Sequence, residues 1–246
     1  MMNNIHIPPV VKNLLIINGL FFAAKYIFQS KGIDLDLLLG AFYFDSPLFK
    51  IWQPITYMFM HGNFTHILFN MFALFSFGSV LETRWGTKRF INFYLITGLG
   101  ALALQWGVQA FEIYQMTGSA INPGAVTVDI AKGMASLNLR GLTPEQSETF
   151  LGIYSGPMVG ASGAIFGLLV AFGMLYPNAE LYIMFIPVPV KAKYIIPVYI
   201  LIELSLGVAS FQGDSIAHYA HLGGALLGFI LVKLWKEKNT FYDYYD

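Results

Sequence analysis

Residues 158–176 read MVGASGAIFGLLVAFGMLY, and residues 217–235 read AHYAHLGGALLGFILVKLW. Each run has the length of a helix that crosses the hydrocarbon core, which takes about 20 mostly apolar residues. Neither run is uniformly apolar. The first carries Ser162 within Gly160-Ala161-Ser162-Gly163. The second carries His218 and His221, followed by Gly223, Gly224 and Gly228. An ionisable side chain inside a spanning helix costs roughly 2.5–3.5 kcal/mol on insertion scales, so it calls for a functional explanation.

Four further runs of similar character flank these two. They are residues 11–29, 63–82, 89–109 and 193–211, so six spans are expected. The apolar run 181–190, LYIMFIPVPV, is short and holds two prolines, which makes it a loop or interfacial segment. Composition agrees with a lipid-covered surface: 56% of the 246 residues are hydrophobic, 11% are charged, and mean hydropathy is +0.60. Soluble domains carry about 25% charged residues. The net charge of zero gives no case for nucleic-acid binding. The absence of Cys excludes disulfides, thiolate catalysis, Cys-ligated metal and prenylation. The opening MMNNIHIPPVVK has neither the basic start and cleavage site of a signal peptide nor an Arg- and Ser-rich organelle address.

The basic residues set an orientation. With the N-terminus inside, Lys12, Arg84, Lys88, Arg89, Lys191, Lys193, Lys236 and Lys238 all fall on the inner side. The short outer connection 212–216, QGDSI, has no basic residue. Lys31, Lys50, Lys132 and Arg140 fall outside, in the long loops 30–62 and 110–157, which weigh less. Both termini, about 1–10 and 236–246, are therefore expected in the cytoplasm. In the second long loop, Thr143-Pro144-Glu145-Gln146 reads as a capping box with Pro at the first helical position. Ile130, Met134 and Leu137 recur at helical spacing after Asp129 and predict a second amphipathic helical piece, against the alternative of a poorly ordered surface loop.

Ser162 alone would be unremarkable, because Gly156, Gly160, Gly163 and Gly167 also read as glycines for close helix packing. His221 changes the weighing. Residues 221, 224, 225 and 228 form a stripe of one His and three small residues on one helical face. Such a stripe permits near backbone contact with the small-residue face of run 158–176. Ser162 and His221 each lie about four residues from the outer end of their runs, hence about 6 Å deep at 1.5 Å per residue. A serine nucleophile and an imidazole base are expected to meet there. For His218 a structural hydrogen bond to neighbouring backbone is the stronger reading. Residues His66 and Asn70 share one face of run 63–82 at the same depth. With the Ser162 N–H they could bind a developing oxyanion, though a polar helix contact is an adequate reading of Asn70 alone. Gly160 is expected to give close backbone approach and to turn its N–H toward the oxyanion. No Asp or Glu is expected within reach of His221 at its depth.

These residues together resemble the rhomboid intramembrane serine proteases, over about 60–230. His66-x-x-x-Asn70, then Glu82-Thr83-Arg84-Trp85-Gly86, then Gly160-Ala161-Ser162-Gly163, then His221 within AHYAHLGGALLGF appear in that family's order. The resemblance implies an all-α membrane protein, a single domain forming a six-transmembrane-helix rhomboid-like bundle with both termini cytoplasmic. It further implies a serine endopeptidase without cofactor or metal, in which Ser162 and His221 are catalytic and His66, Asn70 and the Ser162 N–H bind the oxyanion. Gly160, Gly163, Phe166, His218 and Gly224 are supporting residues. The implied partners are single-pass transmembrane substrates and the lipid bilayer, and the expected site is a bacterial inner membrane. Weakened helix 193–211, with Pro197, Ser205, Gly207 and Ser210, fits a movable side gate, while simple lipid-facing packing is an adequate alternative reading. The chain departs from the family at Trp52-Gln53, where a Trp-Arg pair is usual, at Phe166, where some members have Tyr, and in the length of loop 110–157. Metalloprotease HExxH and aspartyl GxGD motifs are absent. The competing classes are an inactive rhomboid-like membrane chaperone and a carrier of metal or haem through His61, His66, His218 and His221.

Overall fold

The computed structural model describes residues 7–130, 132–182, 188–209 and 218–235. Helix α1 (Pro9–Gln29) starts on a proline, whose missing N–H would have had no partner there. Its next amides, those of Val10 and Val11, donate to the buried Glu82 carboxylate at 2.9 and 2.8 Å. Glu82 lies in α5 (Ser79–Trp85), which continues α4 (Phe64–Ala73) through a π turn at Leu74–Gly78. The Glu of the E-x-R-x-G motif is thus the cap of a distant helix. Gly86, at φ +77°, closes α5 and opens α6 (Thr87–Thr117), a turn that favours glycine.

Two short helices, α2 (Leu35–Leu39) and α3 (Gln53–Thr56), punctuate the segment between α1 and α4. After α6 come strands β1 (Val126–Asp129) and β2 (Met134–Leu137), then α7 (Pro144–Ser155) and α8 (Ser162–Leu175). Strands β3 (Glu180–Tyr182) and β4 (Pro189–Lys191) lead to α9 (Ala192–Ala209) and α10 (His218–Leu234).

Helices α6, α8 and α10 form the centre, and small residues bring them together. A Cβ on Gly228 would lie 2.7 Å from the Gly167 carbonyl oxygen, and one on Gly223 would lie 2.9 Å from the Gly100 carbonyl oxygen. A Cβ on Gly224 would collide with the backbone of Gly163. Backbone therefore packs on backbone along α8–α10, as the stripe predicted. Phe90, Phe93, Tyr94, Leu168 and Ala171 fill the core around this contact. The outward faces are the reverse of a soluble protein: Leu20, Phe64, Phe72, Leu201 and Val208 are all exposed. Such broad apolar surface belongs against lipid, and α1, α4–α5 (Phe64–Trp85) and α6 are each long and apolar enough to cross a membrane. Helices α8 and α10 are apolar but shorter, with 14 and 17 residues.

Three expectations need correction here. Helix α6 runs on to Thr117, beyond the expected end near 109, and is stopped by Gly118 in the left-handed conformation. Ile130, Met134 and Leu137 do not lie on one helix; Val126–Asp129 pairs antiparallel with Met134–Leu137, Asp129 opposite Met134. The β-branched Val126-Thr127-Val128 favours extended chain, and Gly133 takes the φ of +63° that the tight turn requires. Third, α8 begins at Ser162 rather than 158, because Gly160 breaks the helical path. The Thr143 capping box is formed, with Pro144 opening α7.

Loop 110–157 carries its own small core. Phe150 and Tyr154 stack at 4.6 Å beside buried Tyr43 and Ile113. Asp45 accepts from the Tyr154 hydroxyl at 2.7 Å and from the Asn122 amide at 2.6 Å, pinning the two long loops together. Burial and the Asp45 charge push the Tyr43 phenol up to about 12. Gln53, standing where a basic anchor was expected, is buried. It accepts from the Lys50 amide at 3.0 Å and donates to the Leu48 carbonyl at 3.1 Å, so a neutral amide organises this loop.

Candidate active site

Ser162 owes its place to the residues before it. Gly160 has φ +135°, and a Cβ there would sit 2.9 Å from His66 Nε2 and 3.4 Å from Ser162 Oγ. Only glycine lets the chain turn into α8 this close to both side chains. The approach segment is fastened by paired backbone hydrogen bonds between Ala41 and Met158, at 2.9 and 2.8 Å. It is fastened again by the Gly160 N–H, which donates to the Tyr57 carbonyl at 2.9 Å. That bond corrects one expectation: the Gly160 amide is engaged and does not face an oxyanion.

His221 Nε2 lies 2.8 Å from Ser162 Oγ. The glycine contacts of α8 with α10 make this approach possible. Phe166, one turn along α8, stacks on the His221 ring with centroids 4.3 Å apart and planes 8° apart. The phenyl ring therefore holds the imidazole as the Tyr of other members was expected to. Ser162, being the first residue of α8, presents an N–H without an intrahelical acceptor, at the positive end of the helix dipole.

His66 and Asn70 lie on α4. The Gly62 N–H faces His66 Nδ1 at 3.4 Å, which leaves Nε2 as the protonated nitrogen. It is Nε2 that lies closest to the Cβ Gly160 lacks, beside Ser162. Asn70 is buried, and its Nδ2 has no hydrogen-bond partner among the described residues. An unsatisfied buried donor costs about 1–3 kcal/mol, so it marks a place where an acceptor is expected to bind.

His61 sits edge-on to His66, centroids 5.0 Å apart, in the turn before α4. Burial holds it far below its ordinary value, at about 3, with His66 adding to the effect. Lys25, near the C-terminal end of α1, donates to the carbonyls of His61 and Gly62 at 3.0 Å each and pairs with Asp36 at 2.5 Å. The sequence reading missed this clamp, although a lone Lys inside a span is a signal in itself.

The most consequential miss is Glu203. Its carboxylate Oε2 lies 2.8 Å from His221 Nδ1 and 2.7 Å from His218 Nδ1. Position 203 falls mid-run in residues 193–211, apparently too deep for His221, yet the long Glu side chain spans the difference. His218 is buried, and its Nδ1 meets this same carboxylate, a partner that the sequence did not suggest. The four histidines weighed for a metal or haem carrier separate into two pairs, His61 with His66 and His218 with His221, whose ring centroids are 5.0 and 6.4 Å apart. An apolar cleft of about 670 Å³ opens between α8, α9 and α10 near Ile196, Pro197 and Phe229, but neither Ser162 nor His221 lines it. The connection 212–216 and Ser210 lie outside the described residues.

A helical bundle with broad apolar faces, a serine at a helix start and an imidazole against its hydroxyl defines a class of membrane protein. The chain belongs to the rhomboid family: its domain model matches residues 48–237. Among curated proteins the chain is 28% identical to the Rhomboid protease AarA of Providencia stuartii, over 79% of this chain and 60% of that one. It is 28% identical to Rhomboid protein 1, mitochondrial, of Saccharomyces cerevisiae, over 69% of this chain and 38% of that one. It is 27% identical to Rhomboid-like protein 11, chloroplastic, of Arabidopsis thaliana, over 90% of this chain and 63% of that one. The chain spans about half the length of the curated relatives it matches. Where their names give a location it is mitochondrial or chloroplastic, so with the apolar helices they support a membrane protein but not the expected bacterial inner membrane.

Proposed function

We propose that this chain is an intramembrane serine endopeptidase that cleaves single-span membrane proteins near the outer face of its membrane. The observation that carries the reading is the 2.8 Å contact of His221 Nε2 with Ser162 Oγ under the stacked ring of Phe166. In the reaction, Ser162 Oγ attacks the scissile carbonyl while its proton passes to His221 Nε2. The carbonyl electrons collect on oxygen, which accepts from His66 Nε2–H, Asn70 Nδ2–H and the Ser162 N–H. The C–N bond then breaks, and the leaving nitrogen takes the proton from His221. Water then gives a proton to His221 Nε2 as its oxygen attacks the acyl carbon; the C–Oγ bond breaks and Ser162 Oγ takes that proton back, releasing the carboxylic acid. The substrate helix must unwind first, since hydrogen-bonded helical amides are poor targets, so Gly, Pro or polar residues near its outer end favour cleavage.

The whole chain forms one transmembrane domain of six spans, α1, α4–α5, α6, α8, α9 and α10, with both termini inside. Two cation–π contacts support the orientation. Arg84 lies over Tyr176 at the end of α8, and Arg89 lies over Trp235 beyond α10, gathering basic residues at the end of the bundle away from Ser162. A second reading has one observation in its favour: ligand atoms of Glu203, His218 and His221 lie within 4.8 Å of one another, near enough to share a divalent ion. The test is cleavage of a model transmembrane substrate by wild type and Ser162→Ala, with metal content measured on the same protein. Cleavage lost in Ser162→Ala supports the protease. Cleavage unchanged in Ser162→Ala, or inactive protein with stoichiometric metal, refutes it.

A further inference from the structure

We infer that Glu203 is a positioning residue that completes a Ser162–His221–Glu203 relay, and that His218 holds it in place. The inference rests on the protease reading above and adds a third member where only a serine and a histidine were expected.

A carboxylate in an apolar helix is unfavourable unless paired and hydrogen-bonded. Glu203 stands within YILIELSLG on α9, and it is buried. Its Oε2 meets two imidazole nitrogens, at 2.7 and 2.8 Å. A carboxylate oxygen only accepts, so both histidines carry their proton on Nδ1. For His221 this decides the chemistry. With Nδ1 protonated, Nε2 presents its lone pair to the Ser162 hydroxyl 2.8 Å away, which is the tautomer a general base needs. When the proton of Ser162 arrives at Nε2, the Nδ1–H stays on Glu203, whose charge lies beside the imidazolium. The carboxylate takes no proton at any stage.

His218 has a distinct part. It occupies the same face of α10 as His221, one turn earlier, and donates to the same oxygen. Local packing keeps α9 against this turn: the Tyr219 hydroxyl donates to the Gly207 carbonyl at 3.0 Å. A Cβ on Gly207 would lie 3.2 Å from His218 Cβ, so the two helices approach closely there. His218 thereby holds the same Glu203 oxygen that meets His221. Phe166 fixes the plane of the ring, whereas Glu203 fixes which nitrogen carries the proton.

The experiment is turnover of a model transmembrane substrate by wild type, Ser162→Ala, Glu203→Gln and Glu203→Leu, with thermal unfolding recorded for each. Removing the carboxylate from serine protease triads costs about 10⁴-fold in kcat. Phe166 still orients the ring here, so Glu203→Leu is expected to lower kcat by about 10²–10⁴-fold, with KM unchanged. Glu203→Gln, which can still accept from Nδ1 but lacks the charge, is expected to fall between. A purely structural role would instead lower unfolding temperature and leave the kcat of the folded fraction intact, and that result overturns the inference. A second measurement needs no variant: ¹⁵N spectra of histidine-labelled wild type at neutral pH should show Nδ1 protonated and Nε2 unprotonated for His221. The opposite tautomer overturns the inference. Full activity in both Glu203 variants overturns it while leaving the serine nucleophile standing, whereas activity equal in wild type and Ser162→Ala overturns both.

Discussion

Replacing Asn70 by alanine should separate rate from stability in opposite directions. The Asn70 Nδ2 is buried with no partner among the described residues, which leaves an unmet donor there. Such a group costs about 1–3 kcal/mol, and Asn70→Ala removes it. Against that relief stands the packing lost with a small side chain, so the net stability change is expected to be about 1 kcal/mol or less in either direction. Turnover should respond quite differently. A single oxyanion donor is worth about 10²–10³-fold in kcat, or roughly 2.7–4 kcal/mol of transition-state stabilisation. The assay is kcat/KM on a model transmembrane substrate, paired with reversible unfolding of the same preparation. A loss of activity matched by a loss of several kcal/mol in stability would show that Asn70 is a structural contact. Unchanged turnover would remove it from the oxyanion site altogether.

Gly160→Ala forces a side chain toward His66 Nε2, 2.9 Å away, in a left-handed backbone. It should cost about 1–3 kcal/mol of stability and abolish labelling by a serine-directed probe; labelling at the wild-type rate refutes the tight fit. Glu82→Ala leaves the Val10 and Val11 amides uncapped and should lower stability by about 0.5–2 kcal/mol while the specific activity of folded protein is retained. His61 titrates at about 3 when folded but near 6.5 when unfolded. The unfolded chain therefore binds the extra proton between those values, and stability falls as pH drops through that window, by up to about 1.4 kcal/mol per pH unit. His61→Phe should flatten this slope in unfolding measured from pH 7 to pH 4; an unchanged slope contradicts the burial. Incubation with a chelator should leave cleavage intact, and its loss would favour the divalent ion at Glu203, His218 and His221.

The glycine-faced helices and their reactive groups were legible in the sequence because close packing demands small residues at fixed spacing. The stripe of His221, Gly224, Ala225 and Gly228 could be read without coordinates, and α8 indeed meets it backbone to backbone. The position of Ser162 within its helix was not legible. Hydropathy continues smoothly through 158–161, whereas the φ of Gly160 ends the helix there. Glu203 escaped because depth was counted along each helix separately. A side chain several ångströms long, on a neighbouring helix whose tilt is set by tertiary packing, does not obey that count. The hairpin at Val126–Leu137 was misread because Ile130, Met134 and Leu137 happen to match a helical period. β-branching and Gly133 were the stronger local signals. Gln53 shows the converse: a missing basic anchor looked like a loss, but a buried amide that both donates and accepts can organise the same loop.

The most direct test is to treat the folded chain, in detergent, with a fluorophosphonate and to locate the adduct by mass spectrometry. A hydroxyl seated 2.8 Å from Nε2 of His221 should yield one adduct, on Ser162, absent in Ser162→Ala and in His221→Ala. An adduct elsewhere on the chain, or labelling of Ser162 at equal rate once His221 is gone, would contradict a serine activated by that imidazole.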